Sequence, residues 1–250
     1  MIRLAVPSLA VLALAAAPLT ALDLNSMSAE ERALFHAEVR AYLMENPEVI
    51  LEAVNALEER QAAAQAQADF DLVKVNEKEI FEDGFSWVGG NPDGDITLVE
   101  FVDYRCGFCR RAHSEVESLL ETDGNIRLIM KEFPILGEAS VTSSRFAVAV
   151  KQVEGDDAYK LVHDTLITFN GEVTDVALRR ISDGFDFDTD AVLARMDSDA
   201  VTEEISATRA LAQRLQISGT PTFVMEDELL RGFLPADQMA ALVAEKRAQD

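Results

Sequence analysis

Cys106 and Cys109 are the only cysteines in the chain, and they stand in the run Asp103-Tyr104-Arg105-Cys106-Gly107-Phe108-Cys109-Arg110-Arg111-Ala112-His113. Thiolate is the reactive form of cysteine, and a helix N-terminus, with free amides and about half a positive charge, favours it. Val116, Leu119 and Leu120 follow at helical spacing, so a helix is expected to open on Cys106. Arg105, Arg110, Arg111 and His113 are expected to add local positive charge. Cys109, one turn further in, is shielded but within reach of Cys106. A disulfide attacked by Cys106 is then resolved by Cys109. Three other uses share the spacing. A zinc knuckle needs two more ligands, yet no other Cys exists and His36 and His163 lie in unrelated segments. A copper-binding pair uses the same soft sulfurs. A structural disulfide closes too short a loop to constrain the unfolded chain usefully. Redox catalysis is the leading reading, with no cofactor and no metal ion assigned.

Regular elements must hold the pair in place. Ile96-Thr97-Leu98-Val99-Glu100-Phe101-Val102 is a nearly continuous apolar run, as expected of a strand buried on both faces, with Thr97 and Glu100 its polar members. Gly84 to Gly94 concentrates turn formers and marks a boundary before it. Between Gly137 and about Leu215 the pattern predicts helices over 141–150, 158–169, 175–182, 188–196 and 200–215. Two short strands, 222–225 and 228–230, flank Glu226-Asp227, and Pro235 starts a last helix through Lys246.

The N-terminal third reads differently. Met1-Ile2-Arg3, an apolar run from Leu4 to Pro18 and Leu19-Thr20-Ala21 make a secretory signal over 1–21, its run shorter than the roughly 20 residues of a bilayer span. The mature chain then starts near Leu22, in an oxidising compartment. Ser28 with Glu31 forms a capping box, and Phe35, Val39, Tyr42 and Leu43 make one apolar stripe. Asn46-Pro47 caps a second helix whose stripe is Ile50, Val54, Leu57, Gln61, Ala64 and Ala68. No Gly or Pro interrupts 48–82, so a helical segment of that length is expected, serving as an oligomerisation arm or folding back on its own domain. The expected division is a signal over 1–21, a helical arm over 22–85 and an α/β domain over 86–250 with a helical insertion at about 138–215.

Composition narrows the function classes. With 48% apolar and 27% charged residues the chain is an ordinary globular protein, and its formal charge of −23 repels phosphate backbones. Nucleic-acid binding is excluded on that ground.

The buried strand, Cys106-Gly107-Phe108-Cys109 and the distant Ser218-Gly219-Thr220-Pro221-Thr222-Phe223-Val224 together resemble the thioredoxin superfamily, and specifically its DsbA-like periplasmic branch. The resemblance covers about Asp95 to Lys246 and implies a thioredoxin fold with an inserted helical subdomain. It implies a cis proline at Pro221, set against the active-site pair, with the backbone of Thr220 open to an extended client chain. It also implies an acidic residue six positions before the nucleophile, which Glu100 matches. Buried there, Glu100 has a raised pKa and relays the proton of Cys109. Lys131, in a segment similar to the family's second core strand, is expected to neutralise Glu100. Gly107-Phe108 lacks the Pro-His dipeptide of the strongest oxidants, and Thr220 stands where the dedicated oxidase usually has Val. With N-terminal helices similar to the suppressor-of-copper-sensitivity or Com-like branch, these features favour an isomerase or reductase acting on secreted client proteins. They also imply a homo-oligomer and a membrane thiol-redox partner. The alternatives are a DsbA-like oxidase, a copper-binding or copper-tolerance protein using the same thiols, and a helical adaptor with a vestigial domain.

Overall fold

The computed structural model describes residues 26–249. The expected signal, residues 1–21, lies outside the described residues. The chain divides into two compact units between Arg60 and Gln61.

The first unit contains α1 (Ala29–Glu45) and the opening turns of α2 (Glu48–Val75). Ser28 Oγ accepts from Glu31 N at 3.2 Å while Ser28 N donates to Glu31 Oε2 at 2.8 Å, the reciprocal cap that the Ser-x-x-Glu spacing demands. Asn46 acts backwards rather than forwards: its Nδ2 donates to Tyr42 O at 3.0 Å, closing α1 instead of capping α2. No residue of α1 is buried. Phe35, Val39 and Tyr42 of α1 and Ile50, Val54 and Leu57 of α2 all stand exposed.

The second unit is built on a five-stranded sheet of order β1-β3-β2-β4-β5, from β1 (Trp87–Gly90), β2 (Ile96–Val102), β3 (Ile126–Glu132), β4 (Thr222–Met225) and β5 (Glu228–Arg231). β2 and β3 run parallel; the other pairs are antiparallel. The central position of β2 explains its unbroken apolar run, since both faces are covered. Strand β1 pairs with β3 inside the stretch read as a boundary. Only Trp87 and Val88 precede Gly89-Gly90, too few apolar residues to show a period of two.

One face of the sheet carries Leu98, Val102, Leu128 and Met130 and packs against α4 (Gly107–Asp123), α5 (Glu138–Glu154), α6 (Asp156–Thr168) and α10 (Ala236–Gln249). The opposite face carries Val99, Phe101 and Ile129 and meets Ile80 of α3 (Glu77–Phe81) and Leu211 and Ala212 of α9 (Asp199–Arg214). The last turns of α2 add Val73 to this second core, so the division falls well before the expected boundary at residues 85 and 86. The predicted unbroken helix over 48–82 stops at Asn76, whose Nδ2 donates to Leu72 O at 2.8 Å and whose Oδ1 accepts from Arg214 Nε at 2.6 Å. A short amide side chain that competes for backbone groups ends a helix without Gly or Pro. Helices α5, α6, α7 (Asp175–Gly184), α8 (Thr189–Met196) and α9 lie between β3 and β4. Thr174, Asp188 and Ser198 cap the last three, each accepting from an amide three residues on.

Candidate active site

Asp103 sets the turn between β2 and α4. Its carbonyl accepts from Cys106 N at 3.0 Å and its Oδ1 from Arg105 N at 2.8 Å. Its Oδ2 accepts from Ile135 N at 2.8 Å and Leu136 N at 3.0 Å in the segment after β3. A fully buried carboxylate taking three amide protons ties the two loops together. Sequence reading passed over this residue. The available signal was an Asp two residues ahead of an amide it can accept from.

Cys106 is the N-cap of α4. Its Sγ accepts from Cys109 N at 3.5 Å and, as a thiol, donates to Thr220 O at 3.1 Å. Both cysteines are free thiols. Cys106 is 7% exposed and Cys109 fully buried, which separates a sulfur that meets an incoming disulfide from one that cannot. The helix buries Cys109, Ala112, Val116 and Leu119, a stripe at spacings of three and four that turns Cys109 inward. The Thr220–Pro221 bond is cis, and Pro221 is buried. The structure thus brings Cys106, Cys109, Thr220 and Pro221 together across 114 residues of chain.

The rim carries the expected arginines. Arg105 Nη1 donates to Gly171 O at 3.2 Å, Arg110 Nε to Ile167 O at 2.9 Å, and Arg110 also bonds Asn170. The Arg111 guanidinium lies 4.3 Å from the ring centroid of exposed Phe108. His113 does not add the positive charge expected of it. Burial pulls its pKa below the ordinary imidazole value, against the opposing pull of Asp164 and Glu117, so it is neutral at pH 7.

Glu100 sits at the centre of the sheet, 3% exposed. Burial, with a smaller push from Glu117, raises its pKa to about 8. Burial first, and then the Glu100 charge, raise the Cys109 thiol well above its ordinary value. A carboxyl that titrates near neutrality beside a thiol that resists ionisation is the arrangement a proton relay needs.

Lys131 does not neutralise Glu100. Register pairs Glu100 with Met130 and Phe101 with Lys131, and side chains alternate between the two faces of a sheet. Lys131 therefore points to the α3 side. There its Nζ donates to Asp83 Oδ2 at 2.5 Å and Glu79 O at 2.9 Å. Burial works against the charge on both partners, and the Lys131 ammonium holds the Asp83 carboxyl below its usual range. A one-residue offset converted an expected active-site pair into a buried tie between β3 and the segment after α3.

A second buried network lies on the Glu100 side of the sheet. Tyr104 OH donates to Glu132 Oε1 at 2.6 Å, Tyr159 OH donates to the same oxygen at 2.7 Å, and Tyr104 OH lies 3.1 Å from His163 Nδ1. Burial raises Glu132 to about 7, with the nearby hydroxyl of Ser144 and the hydrogen bonds from Tyr104 and Tyr159 acting against it. His163, which sequence reading placed in an unrelated segment, packs against His113 with ring centroids 5.4 Å apart.

The family described as the DSBA-like thioredoxin domain matches residues 97–245, more than half of the chain. The chain belongs to the DsbA-like thiol-disulfide oxidoreductase family. The copper resistance protein ScsC N-terminal domain matches residues 31–64, within the helical N-terminal region. A thioredoxin-like oxidoreductase from Silicibacter pomeroyi DSS-3 is 39% identical with a TM-score of 0.65, covering 69% of this chain and 98% of that one. Proteus mirabilis ScsC in a transitional conformation is 26% identical with a TM-score of 0.65, covering 90% of this chain and 99% of that one. The Na(+)/H(+) antiporter NhaA 1 of Salinispora arenicola is 26% identical over 161 residues, 62% of this chain. This chain spans about a quarter of that antiporter's length. The α/β fold class expected from the sequence is the one observed. Among the described residues no helix is long and apolar enough to cross a membrane.

Proposed function

We propose that this chain is a periplasmic thiol-disulfide oxidoreductase of secreted, cysteine-containing client proteins, working chiefly as an isomerase or reductase. One observation carries the reading: an N-cap thiol 3.1 Å from the carbonyl before a cis proline, above a buried thiol influenced by a buried carboxyl. Cys106 thiolate attacks one sulfur of a client disulfide, forming a mixed disulfide and releasing the other client sulfur as thiolate. Ionised Glu100 takes the proton of Cys109, and Cys109 sulfur attacks that of Cys106. The Cys106–Cys109 disulfide forms and the second client thiolate leaves, so the client gains two electrons and the pair loses them. In isomerisation a second client thiolate attacks the mixed disulfide instead, and Cys106 leaves as thiolate with no net electron transfer. The Thr220 carbonyl and Pro221 hold the client backbone during attack. A membrane thiol-redox partner resets the pair.

Homo-oligomerisation through the N-terminal helices is part of the same proposal. Six exposed apolar side chains at spacings of three and four are worth about 1.5–3 kcal/mol each when buried, and other copies of the chain supply a matching face. Export through the signal over 1–21 places the protein where disulfides form.

The test is reactivation of scrambled ribonuclease in glutathione buffer. Cys106→Ser abolishes it, and Val54→Glu with Leu57→Glu reduces it while converting an oligomer to monomers in sedimentation. Point substitutions suit this test because Val73 and Ile80 belong to the core of the second unit, and deleting the whole helical region would remove them. Efficient oxidation of reduced ribonuclease without unscrambling reassigns the chain as an oxidase. The match at residues 31–64 favours one second reading, copper binding through the two thiols. Tight Cu(I) binding with no ribonuclease turnover in either direction selects it.

A further inference from the structure

We propose that His113, His163 and Asp164 form a binding site for a divalent first-row transition-metal ion, separate from the thiol pair. His113 comes from α4, and His163 and Asp164 are consecutive on α6, so only the packing of these two helices makes the cluster. One ligand atom from each of the three lies within 4.8 Å of the others. His113 Nε2 is 3.6 Å from Asp164 Oδ1, and the two imidazole centroids are 5.4 Å apart. Two imidazoles and a carboxylate suit zinc and its neighbours, with open positions left for water.

The network behind His163 supports this reading. Tyr104 gives its single proton to Glu132 Oε1, so its oxygen accepts from His163 Nδ1–H. That leaves Nε2 of His163 with its lone pair and fixes the ring. A metal-binding histidine characteristically donates its other N–H to such an oriented group, which fixes tautomer and geometry. His163 is 4% exposed, whereas the side chain of His113 is 18% and that of Asp164 38% exposed. The cluster therefore grades from a buried, fixed ligand to an accessible carboxylate, which provides the entry path.

Lys160 defines the competing cation. Its Nζ contacts Asp164 at 2.6 and 2.8 Å and Glu117 Oε1 at 3.3 Å. The ammonium neutralises Asp164 in the metal-free chain and weakens ion binding by its own charge. Because His113 is one helical turn beyond Cys109, an ion here places positive charge near the buried thiol and links metal occupancy to the redox pair.

The experiment uses the full mature chain carrying Cys106→Ser and Cys109→Ser, so that no thiol binds the probe. Co(II) is titrated and its ligand-field absorption recorded, with Zn(II) competition followed by calorimetry. One ion per chain is expected, with imidazole-type absorption. His113→Ala and Asp164→Asn, both at accessible positions, each weaken binding by about tenfold or more. Lys160→Met strengthens it by about tenfold, on the order of the removal of one nearby charge. Circular dichroism of each variant verifies the fold. Absence of saturable one-to-one binding overturns the proposal, and so does binding that His113→Ala leaves unchanged.

Discussion

Replacing Glu100 with Gln removes an ionisable group from the centre of the sheet while keeping its size. In the folded chain the carboxyl titrates at about 8, against 4.5 ordinarily, because burial penalises its charge and Glu117 adds to that. The sign follows from the raised value. With respect to this group, stability is fully present below 4.5 and is lost as pH rises through 8, since the unfolded chain releases the proton first. Each unit is worth about 1.36 kcal/mol, so at pH 7 the cost is about 3 kcal/mol, approaching about 5 kcal/mol above pH 8. Gln carries no such cost. Urea unfolding of reduced parent and variant at pH 4, 5.5, 7 and 8 is expected to show a stability difference that widens in favour of the variant by about 3 kcal/mol between pH 4 and pH 7. Most other groups titrate alike in both proteins, and their contributions cancel in the difference. The same substitution removes the proton acceptor for Cys109, so resolution of a Cys106 mixed disulfide should slow by about 100-fold or more. A stability difference that is constant with pH refutes the burial argument. An unchanged resolution rate refutes the relay.

Asp103→Ala leaves three amides without their acceptor and is expected to cost about 3 kcal/mol in denaturant unfolding, with loss of ribonuclease reactivation because the Cys106 turn is no longer held. Lys131→Met strands the buried Asp83 carboxylate and is expected to cost about 3–5 kcal/mol, part of it regained when Asp83→Asn is added, which removes the charge and keeps an oxygen for the amides of Phe85 and Ser86. In that double variant the pH dependence of Cys109 reactivity should match the parent's, which an ion pair between Lys131 and Glu100 would not allow. Phe108→Ala changes stability by no more than about 1 kcal/mol, the order of its contact with Arg111, and raises KM for a disulfide-bonded peptide if the exposed ring meets clients.

Local pattern carried much of this protein. The apolar run over 96–102 marks a doubly covered strand, Ser28 and Glu31 state a capping box, and the helices between β3 and β4 follow from their stripes and caps. Cys106-x-x-Cys109 with the distant Thr220-Pro221 pair named the chemistry, because each signal is complete within a few residues. The shortfalls have a common cause. Strand β1 is defined by its partner β3 rather than by its own composition, and the end of α2 by an amide that meets Arg214 from 138 residues away. Which face Lys131 occupies depends on register, and a single step of register exchanges Glu100 for Asp83. The meeting of His113 and His163 depends on how α4 and α6 pack, for which no run of residues carries a mark. Hydrophobic period and capping act over one or two turns and are written in the chain. Register, helix packing and the burial that moves Glu100 to about 8 arise only when distant segments exclude water together.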